Sequence, residues 1–192
     1  IGRGFWRGVY FYPVLLSPVV VALIWKWLLQ TQGVFNAGLA AAGSTPVDWL
    51  TDARWAFFWA VFVSIWAHMG FYTLILLAGL QAIPKDLYEA ASIDGASRWR
   101  QLLDVTLPAL APMLLMVAIL TTAAHFQLFA EPYVMTQGGP AQRTVTVLYF
   151  MYEEGFKWWS LGSASAVAFL LFVIMFAFTM VQVRVSRRSE AL

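Results

Sequence analysis

The sequence of 192 residues contains no cysteine, only two histidines and few charged residues. Without cysteine, the chain cannot form a disulfide, a thiolate metal site or a thiol nucleophile. Two histidines are too few for a three-histidine zinc site. Charged residues make up 11% of the chain, against about 25% in an average soluble domain. Because the formal net charge is only +2, the chain also lacks the strongly basic surface that binds nucleic acid.

Hydrophobic residues are abundant instead. They make up 61% of the chain, and aromatic residues alone make up 17%. A soluble domain of this length buries too little surface to hide so many apolar side chains. We therefore predict an all-α, polytopic membrane protein whose surface faces lipid, which excludes a soluble enzyme and a disordered tail.

Four apolar stretches are long enough to cross a bilayer, which takes roughly 20 helical residues. They predict spans at about 8–29, 57–82, 107–130 and 159–183. Pro13 and Pro18 are expected to bend the first span. The segment Trp27–Val47 is also uncharged, but its glycines, glutamines and proline favour an exposed loop with at most a short helix. Because the chain begins at Ile1 rather than Met, we expect it to be a fragment without its N-terminal part.

Lysine and arginine are distributed unevenly between the two sides of these spans. Eight lie in the two ends of the chain and the loop 85–104, whereas three lie in the loops 30–54 and 131–157. Since cytoplasmic loops carry the excess of positive charge, we predict that both ends and the loop 85–104 are cytoplasmic. Lys26 lies near the outer end of the first span, where its long side chain can reach the interface.

The loop between the second and third spans predicts a helix–turn–helix elbow at the membrane surface. Pro84 suits the first turn of a helix, and Glu89 favours the positive N-terminal end of that helix. Gly95 favours a left-handed stop. Ser97 can cap a second short helix, and Pro108 would then begin the next span.

The same loop resembles the signature of a known family. It reads Glu89-Ala90-Ala91, three residues, Gly95, nine residues and then Val105-x-Leu107-Pro108. This pattern is similar to the Glu-Ala-Ala motif of permease subunits in binding-protein-dependent, ATP-driven (ABC) importers, with valine in place of isoleucine. The resemblance implies that the coupling loop 84–108 docks on an ATPase subunit, and that the coupling residues are Glu89, Ala90, Ala91, Gly95, Leu107 and Pro108.

Two further segments resemble the carbohydrate-uptake branch of that family, which includes MalF-type and UgpA-type subunits. One is the outer segment Tyr133–Pro140, which is followed by Thr144, Tyr152 and Phe156. The other is the small-residue segment Leu161–Ala168. The resemblance implies a MalF-like bundle in a bacterial or archaeal inner membrane, with four of about six core spans present here. It implies a second, MalG-like permease, an ATPase dimer, an external substrate-binding protein and a sugar as partners, and no cofactor.

The two histidines indicate where a solute could pass, because polar groups within a bilayer are costly unless they face protein or water. His68 lies 16 residues before Pro84, and His125 lies 17 residues after Pro108. At about 1.5 Å of rise per residue, both imidazoles are expected about 24–26 Å above the elbow. Either histidine could instead only hydrogen-bond a neighbouring helix.

Three further residues share helical stripes with these histidines. Ser64 and Phe71 lie on the stripe of His68, and Thr121 lies on that of His125. Hydroxyls and imidazoles exchange hydrogen bonds with sugar hydroxyls, and an aromatic ring can lie against the apolar face of a sugar. The resemblance implies solute binding between these two spans, so the predicted solute-binding residues are Ser64, His68, Phe71, Thr121 and His125.

On the external side, the turn Gly138-Gly139-Pro140 is a predicted contact for the external binding protein, with a plain solvated loop as the alternative. Glycerol-phosphate or a polyol stays open as the solute.

Two other classes of protein fit part of the pattern. Both histidines could hold one b-type haem, and Ser64 or Ser163 could act as the nucleophile of an intramembrane hydrolase, although no Gly-x-Ser-x-Gly turn is present. The sequence has no glycine-rich phosphate loop with lysine, so we expect ATP to be hydrolysed on a separate subunit. The chain itself is expected to be a transport subunit and not an enzyme.

Overall fold

The computed structural model describes residues 8–189, and of residues 186–189 it describes only the helical backbone. Arg3 and Arg7, which entered the charge count, lie outside the described residues, as do the side chains of Arg187 and Arg188. The described part is built from helices, which are α1 (Gly8–Leu15), α2 (Pro18–Leu28), α3 (Val34–Ala41), α4 (Ala53–Ala82), α5 (Lys85–Ile93), α6 (Arg98–Phe126), α7 (Val147–Tyr152) and α8 (Leu161–Ser189).

Three helices of the described part, α4, α6 and α8, are long and apolar enough to cross a membrane. The predicted first span is not one straight helix, because α1 and α2 meet at a bend of 108°. The bend lies where Pro18 begins α2, since a proline forces the preceding residue out of the helical region. Ser17 accordingly has an extended backbone with ψ 138°.

The third span begins earlier than its apolar pattern predicts. Ser97 caps α6 by accepting a hydrogen bond from the backbone N–H of Arg100 at 3.5 Å. The helix then passes through a π-helical turn, Leu102–Thr106, and continues past Pro108 to Phe126. The expectation of a short helix that ends before Pro108 is therefore wrong. The wide turn directly before this proline shifts the hydrogen-bond register, so its missing N–H does not interrupt the helix.

The chain forms two compact units. The first comprises the described parts of 1–70 and 124–173, and the second comprises 71–123 and the described part of 174–192. The core of the first unit is apolar and centred on α2, the N-terminal half of α4 and the π-helical turn Pro132–Thr136; its buried residues are Val21, Ala22, Leu29, Trp59, Val63, Ala67 and Met135.

Two polar side chains organise the segments of the first unit around α2 and α3. Asn36 is 2% exposed and bridges the predicted loop, because its Nδ2 donates to the carbonyl of Val47 at 2.9 Å and its Oδ1 accepts from the Val47 N–H at 2.9 Å. The same Oδ1 accepts from Trp49 Nε1 at 3.1 Å. Lys26 donates to the carbonyl of Val134 at 2.9 Å, so its ammonium group binds protein backbone.

In the second unit, α6 and α8 are joined by a polar contact within the apolar spans. Gln182 Nε2 donates to Thr122 Oγ1 at 2.8 Å, and Thr122 donates to the carbonyl of Ala118 at 2.7 Å. Hydrogen bonds of this kind between spanning helices contribute about 0.6 kcal/mol on average. Helix α4 approaches α6 closely at Gly79, where an added Cβ would lie 2.9 Å from side-chain atoms of Leu110 and Met113.

Candidate functional site

The elbow consists of α5, the turn at Gly95 and the first turns of α6. Glu89 and Ala90 are exposed on α5, and Ala91 is half-buried. Gly95 has φ +76°, the left-handed conformation that glycine adopts without strain, and the Ala96 N–H closes the helix end on the carbonyl of Ala91 at 2.9 Å. The Glu-Ala-Ala side of α5 is therefore open to a partner within the part of the chain that the structure describes.

A set of side-chain hydrogen bonds fixes α5 to α6. Tyr88 OH and Thr106 Oγ1 are 3.0 Å apart, and Gln101 Nε2 donates to Ser92 Oγ at 2.9 Å. Gln101 Nε2 also donates to the carbonyl of Ala96 at 3.3 Å. These hydrogen bonds link α5 and the turn at Gly95 to the first turns of α6. They were not predicted from the sequence, because no local pattern marks the residues that form them.

The elbow also presents apolar side chains to solvent. Ile93 is 86% exposed and Trp99 is 75% exposed. Exposed apolar groups of this size next to polar residues are typical of a protein or membrane contact. Trp99 further lines an open cavity of about 470 Å³, together with Tyr88, Arg98 and Gln101.

Leu107 and Pro108 occupy a different position from the other coupling residues. Both are exposed, Leu107 at 40%, but they lie within α6 beyond the π-helical turn. The predicted coupling loop 84–108 thus includes eleven residues, 98–108, that belong to the third spanning helix. These residues are helical because the π-helical turn Leu102–Thr106 allows the helix to continue through Pro108.

The first unit brings together three of the predicted solute-binding residues. The ring centroids of His68 and His125 are 5.8 Å apart, which agrees with the equal depth expected for them. His68 Nδ1 lies 2.8 Å from the carbonyl oxygen of Ser64. Because a carbonyl only accepts, Nδ1 carries the proton, and in a neutral ring Nε2 is left as an acceptor. Ser64 is 1% exposed, and its Oγ has no hydrogen-bond partner among the described residues.

Glu131 lies near this histidine pair, although the sequence did not predict it there. Its side chain is 2% exposed, and its Oε1 has no hydrogen-bond partner in the described part of the chain. Burial raises the pKa of Glu131, while a backbone hydrogen bond and the imidazoles of His68 and His125 act in the opposite direction. Because Glu131 begins the segment 131–157, which the charge count treats as a loop outside the spans, it was not predicted to be a solute-binding residue.

The remaining two predicted solute-binding residues lie in the second unit. Phe71 is 42% exposed on α4 and has the ring of Tyr72 at 5.6 Å. Thr121 is half-buried on α6.

The turn Gly138-Gly139-Pro140 is held by threonine hydroxyls. Thr136 Oγ1 and Thr144 Oγ1 are 2.6 Å apart, and Thr144 donates to the carbonyl of Gly139 at 2.8 Å. Gly138 is buried with φ +77°, and an added Cβ would lie 2.9 Å from Tyr149. Gly139 and Pro140 are half-buried. The turn is therefore fixed by hydrogen bonds and by the packing of Gly138.

The model of one protein family, the binding-protein-dependent transport system inner membrane component, matches residues 1–190. The chain belongs to this family. It is thus a membrane component, and the resemblance inferred from the elbow is confirmed.

Curated relatives are similar over nearly the whole chain. The trehalose/maltose transport system permease protein MalF of Thermococcus litoralis is 40% identical over 97% of this chain and 63% of its own length. The multiple sugar-binding transport system permease protein MsmF of Streptococcus mutans is 34% identical over 98% of this chain and 65% of its own length. A probable ABC transporter permease of Brucella suis is 38% identical, with 98% and 66% covered. The chain spans about two thirds of the length of these relatives.

A solved structure matches the fold. A bacterial ABC transporter involved in the import of the acidic polysaccharide alginate superposes with a TM-score of 0.81 over 98% of this chain and 68% of that chain, at 24% identity. The all-α importer bundle predicted from the sequence is confirmed. These comparisons give no support to the haem-protein and hydrolase alternatives.

Proposed function

We propose that this chain is the membrane-spanning permease subunit of an ATP-driven importer, and that it moves a sugar or sugar-like solute by alternating access. The observation that carries the proposal is the exposed Glu-Ala-Ala elbow on a chain of this family. The names of the relatives, which include trehalose/maltose and multiple-sugar systems, support a carbohydrate as the solute. No relative reported above is named for glycerol-phosphate.

The proposed assembly contains a second, MalG-like permease, two ATPase subunits and an external binding protein that delivers the solute. ATP hydrolysis takes place on the separate ATPase subunits. Closure of the ATPase pair moves α5, and the hydrogen bonds of Tyr88 and Gln101 transmit this displacement to α6. The spans then reorient around the solute site, without any chemistry on the solute. The turn at Gly138, Gly139 and Pro140 is proposed to meet the binding protein.

The test of the function is uptake by proteoliposomes that contain the complete transporter, with a panel of radiolabelled sugars. We expect accumulation that requires ATP inside and binding protein outside. Uptake that persists without ATP or without the binding protein would exclude an ATP-driven, binding-protein-dependent importer.

The proposed orientation places the ends of the chain and the elbow in the cytoplasm. Ser97→Cys and Ser44→Cys are suitable probes, because both serines are exposed and the natural sequence has no cysteine. A membrane-impermeant maleimide is expected to label position 44 in intact cells, and position 97 only after the membrane is opened. Labelling of both positions from the same side would contradict this topology.

The proposed solute site predicts an effect of His125→Leu. Leucine has a similar volume but offers no hydrogen bond, so the substitution removes a contact that a solute hydroxyl would make. We expect uptake at low solute concentration to fall about tenfold, as for the loss of a hydrogen bond of about 1.4 kcal/mol, or the range of solutes to change. Unchanged kinetics and selectivity would assign His125 a structural role, as in a bond between helices.

A further inference from the structure

Glu131 is a buried carboxyl group that the coupling mechanism does not use. It is 2% exposed, yet Oε1 has no hydrogen-bond partner among the residues described. An unpaired buried polar atom costs about 1–3 kcal/mol, and more if it is charged. Such a group therefore points to a role other than the stability of the fold.

Two residues of the first unit, His68 and Ser64, add hydrogen-bonding groups to that of Glu131. His68 and His125 lie near the Glu131 carboxyl, and their ring centroids are 5.8 Å apart. Because His68 Nδ1 donates a hydrogen bond to the Ser64 carbonyl, Nε2 is the ring nitrogen that accepts when the ring is neutral. Buried Ser64 Oγ has no partner among the described side chains and backbone groups. Together these groups leave at least two acceptors and one hydroxyl for a ligand.

A ligand that satisfies these acceptors must supply hydroxyl donors. A sugar or polyol hydroxyl donates one hydrogen bond and accepts others, whereas an ionised phosphate or carboxylate oxygen only accepts. An anionic solute would also be disfavoured, because the burial that raises the pKa of Glu131 disfavours negative charge at this position.

The cations of the first unit do not offset this preference. Of its described lysines and arginines, none is buried. Lys26 donates to the Val134 carbonyl, and Lys157 forms an ion pair with Glu153 at 2.8 Å. Arg54 and Arg143 are exposed.

We infer that Glu131, together with Ser64 and His68, forms part of the solute site and selects a neutral, hydroxyl-bearing solute over an anionic one. This inference rests on the proposed function, since it assumes that the chain carries a solute. It separates this chain from the alginate importer, with which it shares the fold but whose solute is an acidic polysaccharide.

The experiment compares Glu131→Gln with Glu154→Gln in the complete transporter. Glutamine keeps the size of the side chain but weakens its accepting oxygen, so we expect KM for the transported neutral solute to rise about tenfold. Glu154 is half-buried outside the histidine cluster, and its substitution is expected to leave KM unchanged. The uptake panel contains neutral mono- and disaccharides and polyols, with hexuronates and sugar phosphates as the anionic set.

The outcomes separate the two proposals. Import of a neutral solute with a raised KM in Glu131→Gln supports the inference. Import of an anionic solute by the natural chain, or an unchanged KM in Glu131→Gln, overturns it and leaves the importer intact. Failure to import any member of either set overturns the proposed function itself.

Assembly of each variant is checked by co-purification with the other subunits. If Glu131→Gln does not assemble, Glu131→Asp and Ser64→Ala replace it. Aspartate keeps the carboxyl group but shortens the side chain by one methylene, so we expect a KM between the natural and glutamine values. Ser64→Ala removes only a hydroxyl and is expected to raise KM severalfold, and no change in either variant would overturn the inference.

Discussion

Replacing Glu89 by lysine is expected to abolish solute uptake while the chain still inserts into the membrane. Glu89 is exposed on α5, so the substitution breaks no internal packing, and its effect has to arise from the contact with a partner. Disruption of a charged contact that becomes buried at an interface costs about 2–5 kcal/mol, which corresponds to a loss of about 30-fold to several thousandfold. Uptake by cells and co-purification with the ATPase subunit measure the two consequences.

Asp86→Lys is the matched control for this substitution. Asp86 lies in the first turn of α5 and is also exposed. If Glu89 only complemented the helix dipole, Asp86 would matter at least as much, because this effect is concentrated at the N-terminal end and is worth about 0.3–1 kcal/mol. We expect Asp86→Lys to retain most of the uptake. Equal losses in both variants, or normal uptake with Glu89→Lys, would contradict the docking role.

The elbow was predictable because its signals are local. Gly95 ends one helix and Ser97 caps the next within three residues, and both features are found where the sequence indicates them. The depth of the two histidines followed from counting residues along helices that flank one loop. In agreement with that count, the rings of His68 and His125 are 5.8 Å apart, although the two residues are 57 positions apart in the chain.

The features that sequence reasoning missed depend on contacts between distant segments. Asn36 looked like a loop residue, but burial against Val47 and Trp49 gives it an organising role. Glu131 looked like part of an external loop, because periodicity and charge do not show that a segment folds back beside a span. Pro108 is a helix breaker by its local preference, and only the preceding π-helical turn explains why α6 continues.

The second large effect is expected at Gly70, where α1 crosses α4. An added Cβ at Gly70 would meet the carbonyl oxygen of Tyr10, and it would lie 2.8 Å from the Tyr10 carbonyl carbon and 3.0 Å from Phe11 Cα. All three atoms belong to the backbone, so no side-chain rotation relieves the overlap. We expect Gly70→Ala to lower the free energy of unfolding by about 1–3 kcal/mol or more, the range for overpacked sites.

Gly38→Ala is the control for Gly70→Ala. Gly38 lies in helix α3, and nothing stands within 4 Å of an added Cβ there. Alanine is a better helix former than glycine by about 0.5–1 kcal/mol, so this variant should be as stable as the natural chain or slightly more so. Thermal unfolding in detergent and the amount of chain in the membrane report the difference. A melting temperature for Gly70→Ala equal to that of Gly38→Ala would mean that α1 does not pack on α4 as the structure has it, and that the bend before Pro18 is free to move away from the span.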